Sequence, residues 1–135
     1  MTTLHHIALG TPDVGRLAQF YRDVLGLSEI TRHLREDGSL RSVWLDLGNA
    51  ILMIEQTAET ARAVSDGIGA GLFLIAIAVS VEERGEYEQR LQSAGCPIES
   101  RTEWTSYARD LDGNRLGISA YPLPGTAARA ALDPG

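Results

Sequence analysis

The chain has one cysteine, Cys96, no charged-then-apolar leader and no long apolar stretch. A lone thiol cannot close an internal disulfide, so a reducing cytoplasm is the expected compartment. Cys96 stands between Gly95 and Pro97 with no neighbouring His or Lys to lower its pKa, and it reads as a structural thiol. The longest apolar run, residues 69–79, falls far short of the ~20 residues a membrane-spanning helix needs, so no membrane partner is expected. Positive charge is also scarce: 12 Lys and Arg against 18 Asp and Glu leave a net charge of -6. That balance argues against nucleic acid, which is bound by clustered cations that displace its counterions. The sequence contains neither a Ser-His-Asp nucleophile elbow nor a phosphate-binding glycine loop. Asp110, Asp112 and Asn114 imitate the start of an EF-hand loop, but Arg115 and Tyr121 occupy the positions where that loop requires Gly and Glu.

What is present is enough for one domain, residues 1–135, with 44% hydrophobic residues and 14 glycines to make turns. Leu4 to Gly10 is a β-rich run, after which Thr11-Pro12 fits a helix N-cap and first-turn proline. Val14, Leu17, Ala18, Tyr21, Val24 and Leu25 then recur at helical spacing, and Gly26 stands where a left-handed C-terminal cap belongs. The same syntax returns at Phe73 to Val79. There Ser80 and Glu83 make a capping box, Tyr87, Leu91 and Ala94 form the stripe, and Gly95 is the stop. His6-Ile7-Ala8-Leu9 realigns with Leu74-Ile75-Ala76-Ile77, which marks an internal repeat. Shorter strands follow each helix, at 28–34, 40–47 and 50–56, then at 97–101, 103–110 and 114–121. The prediction is an α+β fold of two βαβββ modules, 4–56 and 71–121. A linker over 57–70 carries a short helix at 58–64, and 122–135 forms a loose tail or docking arm.

The stretches LHHIALGTPDVGRLAQFYRDVLGL, WLDLGN, LIAIAV and YARDLDGNRLGI, in that order across residues 4 to 121, resemble the glyoxalase/bleomycin-resistance/dioxygenase (vicinal oxygen chelate) superfamily. The resemblance implies a half-barrel pair of sheets around a small-molecule cavity, often completed by a homodimer. It does not by itself imply a reaction. In metal-using members each module supplies two ligands from its first and last strands. Carried over, those positions are His6, Met53, Leu74 and Gly117. Leu74 and Gly117 have no side-chain donor and Met53 has only a soft thioether, which does not suit a divalent ion that needs several N or O ligands. No cofactor is therefore expected. Glu55, two residues from Met53 on the same strand face, is the one escape route, giving a partial metal site with His6.

Strand parity gives the cavity face without knowledge of the ligand. If Gly48-Asn49 is a two-residue hairpin loop, Trp44 lies opposite Met53, and Ser42, Asp46, Ile51 and Glu55 share their face. Val43, Leu45, Leu47, Leu52 and Ile54 then cover the helix side. If Leu111-Asp112-Gly113 is a three-residue loop, Tyr107 lies opposite Gly117, with Thr105 and Arg109 on the same face. In fosfomycin-resistance members the matching tyrosine contacts substrate, which the resemblance implies for Tyr107. The expected ligand-binding residues are His6, Trp44, Met53, Glu55, Leu74, Tyr107 and Arg109, around small inward positions at Ala8, Ala76, Ala78, Gly117 and Ser119.

Two readings follow. The first is a metal-independent protein that binds or sequesters a small organic molecule. The second is a lyase, isomerase or ring-acting enzyme with His6 and Glu55 or Tyr107 as acid-base groups. Within either, His6 is an acid-base group or a hydrogen-bonded relic of the ligand position, and Glu55 is a desolvated base or a solvated strand-end carboxylate. Arg109 grips a ligand anion or pairs with Asp110 or Asp112 at the rim. His5 is expected on the helix face and His33 in a structural or solvent-facing role. Trp104 has parity opposite to Tyr107 and is expected in packing or at an interface.

Overall fold

The computed structural model describes residues 2–60 and 67–122. The first sheet contains β1 (His6–Thr11), β2 (Glu29–Leu34), β3 (Leu40–Asp46) and β4 (Ile51–Gln56); the second contains β5 (Ile75–Ala78), β6 (Ser100–Arg101), β7 (Thr105–Arg109) and β8 (Arg115–Ser119). Their orders, β1-β4-β3-β2 and β5-β8-β7-β6, are the same topology twice. In each sheet the first strand joins the last in parallel and the other pairs are antiparallel. The helices α1 (Val14–Asp23) and α2 (Arg84–Ser93) follow the first strand of each module. The fold is thus α+β, with two mixed sheets that do not close on themselves. The expected helix at 58–64 and the tail at 122–135 fall largely outside the described residues.

The helix ends differ from the sequence reading in an instructive way. Thr11 is the last residue of β1, fully buried, and its hydroxyl accepts the Asp13 amide at 3.1 Å. The N-cap of α1 is Asp13, whose carboxylate accepts the Arg16 amide at 3.1 Å. Thr11 serves the strand-to-helix corner and leaves the cap to the next side chain able to reach a free amide. Ser80 and Glu83 do exchange the two bonds of a capping box, each at 3.0 Å. The box encloses a turn, and regular helix begins only at Arg84. Gly26 and Gly95, at φ +74 and +81, terminate both helices in the left-handed region as their positions predict.

The core lies on the helix side of both sheets. Helix α1 buries Val14, Leu17, Ala18, Phe20 and Tyr21 against a sheet face of Val43, Leu45, Leu52 and Ile54, all inaccessible to solvent. Leu91 of α2 joins the same core with Ala108, Leu116 and Ile118 of the second sheet. Cys96 is buried there too, and burial pushes its thiol pKa up, as befits a packing group. Arg84 clamps α2 to the strand turn beside it. Its guanidinium donates to Ser106 Oγ at 2.8 Å, to the Glu103 carbonyl at 2.7 Å and to the Thr102 carbonyl at 2.9 Å.

The modules meet through this helix side. Residues of α1 and α2, among them Asp23, Val24, Glu86 and Arg90, line one shared crevice. Tyr21 of α1 donates its buried hydroxyl to Asp110 in the β7–β8 turn at 2.7 Å, and Arg16 faces Asp112 at 3.7 Å. The other face of each sheet is left open. His6, Ala8 and Gly10 of β1, and Ala76 and Ala78 of β5, are exposed along it.

Candidate functional site

Both hairpins have the register that their turn glycines imply. Gly48, at φ +92, reverses the chain so that the Leu47 amide donates to the Ala50 carbonyl at 2.8 Å. Trp44 then pairs with Met53, Ser42 with Glu55 and Asp46 with Ile51. Gly113, at φ +89, closes the second turn, the Asp110 amide donates to the Asn114 carbonyl at 2.9 Å, and Tyr107 pairs with Gly117. The open faces consequently repeat row by row. Ala8, Met53 and Trp44 stand side by side in the first module, and Ala76, Gly117 and Tyr107 stand side by side in the second.

On the first face His6 and Glu55 are not neighbours. His6 sits beside Ile51, whereas Glu55 sits beside Gly10, four residues and about 13 Å further along β1. They cannot ligate one ion, whose N and O ligands lie about 2 Å away, nor share a proton directly. His5, expected on the helix face, is exposed, and its Nδ1 lies 2.8 Å from His6 Nδ1. Glu55 is half-buried beside Ser42, which is buried, and Ser42 pairs in turn with His33 of β2. His33 thus stands on the open face with Trp44, ring centroids 5.0 Å apart, and the buried His33 Nε2 and Trp44 Nε1 have no hydrogen-bond partner. His33, expected in a structural or solvent-facing role, was given no face from the sequence, and the β2–β3 register shifts on both sides of the Thr31–His33 segment. The usable signal was its position, two residues from Thr31, which pairs with Trp44.

On the second face Tyr107 is half-buried, with Thr105 and Ser119 hydroxyls hydrogen-bonded at 2.8 Å on the same side. Arg109 bonds Glu99 at 3.1 Å and the Gly113 carbonyl at 3.1 Å, rather than pairing with Asp110 or Asp112. Leu74 lies just before β5 and lines a cavity of about 90 Å³ with Leu9, Phe73 and Arg115. Arg115 stacks on the Phe73 ring at 4.5 Å. Trp104 meets Tyr121 edge to face, a packing contact. A wider groove, about 530 Å³, runs between β1 and β5 and is lined by Ile7, Ala50, Ile75 and Ile77.

Asp110 is the electrostatic centre of the β7–β8 turn. It accepts the Asp112 and Asn114 amides, each at 2.9 Å, the Asn114 side-chain amide at 2.9 Å and the Tyr21 hydroxyl. Burial raises its pKa, while those four donors hold it down. The Tyr21 phenol is pushed well above its usual range, first by burial and then by the adjacent Asp110 charge. The D-x-D-G-N turn is therefore scaffold, and the sequence reading missed Tyr21 as its tie.

Of the four positions that the resemblance assigns to metal ligands, only His6 carries a nitrogen or oxygen side-chain donor. Met53 and Gly117 occupy equivalent rows; His6 opens β1, and Leu74 lies just before β5. At Gly117 even an added Cβ would lie 3.3 Å from Ala76 Cβ and 3.4 Å from Thr105 Cγ2, so the site is packed for glycine. Among the described residues no three of His, Cys, Asp and Glu converge.

Two βαβββ modules, each with a covered helix side and an open sheet face, define a paired-module fold. Residues 3–118 match the model of the Glyoxalase/Bleomycin resistance protein/Dioxygenase superfamily, and the chain belongs to that superfamily. Among solved structures it is similar to lactoylglutathione lyase from Agrobacterium tumefaciens, at 24% identity and TM-score 0.62 over 88% of this chain and 93% of that one. It is also similar to the fosfomycin resistance protein FosX from Listeria monocytogenes, complexed with Mn(II) and sulfate, at 21% identity and TM-score 0.72 over 91% and 95%. TioX from Micromonospora sp. ML1 matches at 23% identity and TM-score 0.64 over 90% and 100%. These likenesses concern the fold. No curated protein matches the sequence.

Proposed function

We propose that the chain is a metal-independent, cytoplasmic small-molecule-binding protein that holds an organic ligand between the open face of one module and that of another. The observation that carries this reading is the substitution pattern on those faces. At the superfamily's four ligand positions stand His6, Met53, Leu74 and Gly117, and the rows between them hold Trp44, Tyr107 and small residues. Such a surface suits an apolar ligand with a few polar anchors. The two open faces belong to modules joined on their helix sides, so the cavity is completed by a second copy: the first module of one protomer covers the second module of its partner. Within one chain His6 is separated in the register from Glu55 and lies on a different module from Tyr107, so an acid-base pair could form only between His6 of one protomer and the partner's Tyr107.

Two measurements test this. Elemental analysis of protein purified without chelator is expected to find far less than one transition-metal ion per chain. Near-stoichiometric metal that His6→Ala removes would overturn the reading. A thermal-shift screen of small organic molecules is expected to yield stabilising ligands by mass action. Their recovery unchanged after long incubation supports sequestration, and their steady consumption would reject it.

A further inference from the structure

The geometry points to an amide-recognising subsite on the open face of the first module, formed by His33, Ser42, Trp44 and Glu55. The inference rests on the cavity reading above and specifies what one end of that cavity binds.

The four residues come from three adjacent strands. Glu55 pairs with Ser42, Ser42 with His33, and Trp44 lies two residues from Ser42 on the same face. Ser42 is small among larger neighbours and is buried at the floor. His33 and Trp44 meet edge to face, with centroids 5.0 Å apart and planes at 64°. His33 Nε2 and Trp44 Nε1 are shielded from water and bonded to nothing. Buried polar atoms are nearly always satisfied, because an orphaned one gives up its water bonds without replacement. Two orphans in ring contact on an open sheet face are a matched vacancy for a ligand acceptor.

The chemistry of the four groups selects the ligand. Indole N–H only donates. The imidazole Nε2 donates in the tautomer that carries its proton there, so both nitrogens can serve the two lone pairs of one carbonyl oxygen. The Glu55 carboxylate is an acceptor and stands on the neighbouring strand, in the row next to Trp44. A donor pair beside an acceptor matches a carbonyl flanked by an N–H, as in a lactam, an imide or a peptide group. A carboxylate would meet Glu55 with like charge, and an ester would leave Glu55 without a donor. The ligand oxygen enters between the two rings and replaces their mutual cover by hydrogen bonds.

The test uses the full-length protein, nitrogen-labelled, with three probes of one shape: quinolinone, which has the carbonyl and the N–H; N-methylquinolinone, which has the carbonyl alone; and quinoline. Two indole N–H signals are read by NMR, and Trp104→Phe assigns the one from Trp44. Quinolinone is expected to shift the Trp44 signal and leave Trp104 unmoved, and to bind about tenfold more tightly than N-methylquinolinone, the worth of one hydrogen bond. Glu55→Leu should erase that tenfold ratio, and His33→Ala should weaken both carbonyl probes but not quinoline. The amide subsite is overturned if all three probes bind alike, or if Glu55→Leu preserves the ratio. Equal binding with a shift of the Met53 backbone amide signal would leave the cavity reading standing while removing this one. Failure of every probe to perturb Met53, Trp44 or Tyr107 would count against both.

Discussion

Tyr21 and Asp110 are 89 positions apart, yet their hydrogen bond is buried and ties the helix of one module to the turn of the other. By periodicity Tyr21 belongs to an apolar stripe, and nothing local shows that its hydroxyl must find an acceptor in the second module. Asp110 likewise reads as a turn residue, since half of its partners are the amides of its own turn. Tyr21→Phe leaves a buried carboxylate short of one donor, and it should cost about 1.5–3 kcal/mol at neutral pH. The pH dependence has a definite sign. Burial raises the folded-state pKa of Asp110 above its unfolded value, so the folded protein binds that proton more tightly. Stability from this group is present below the unfolded pKa and is lost as pH rises through the folded one. The Tyr21 hydroxyl offsets part of that loss by bonding the ionised form. Urea unfolding of Tyr21→Phe and wild type should therefore diverge most at neutral pH and converge as Asp110 is protonated; a constant difference across pH would contradict this account.

Among the elements, the hairpins were the most legible, because a glycine forced to positive φ fixes a turn and the turn fixes the register. Gly48 and Gly113 together put Trp44 opposite Met53 and Tyr107 opposite Gly117. Helix starts were less legible: Thr11 and Asp13 are both good caps, and only the burial of Thr11 decides between them. Strand β2 was the least legible, since its shifts in register break the alternation on which parity depends and leave the face of His33 unassigned by sequence. Two glycines near the ends of α2 test the helix account in opposite directions. Gly95 has φ +81 with open space around its Cβ position, so Gly95→Ala should destabilise by about 1 kcal/mol through backbone strain alone. Gly85 lies inside α2 with ordinary φ and equally open space, so Gly85→Ala should stabilise by roughly 0.5 kcal/mol. Denaturant midpoints at unchanged slope would verify both shifts.

At the scale of the whole molecule, each face could be read from its own strands, but not which face it would meet. That choice depends on long-range ties such as those of Tyr21 to Asp110 and Arg16 to Asp112, which no local pattern encodes. In the dimer proposed above, two protomers related by a two-fold axis would build two equivalent cavities, each drawing one face from either chain. Light scattering should report a dimer, and a monomer that binds ligand fully would refute the arrangement. The back-to-back joining of the modules then has a genetic consequence. A chain impaired on its first face by His33→Ala and another impaired on its second by Tyr107→Ala should each bind a carbonyl ligand weakly as pure homodimers. Mixed in one cell, they would assemble heterodimers in which one cavity collects both lesions and the other collects neither. Two broken alleles would complement each other, with half of the heterodimer's binding capacity restored.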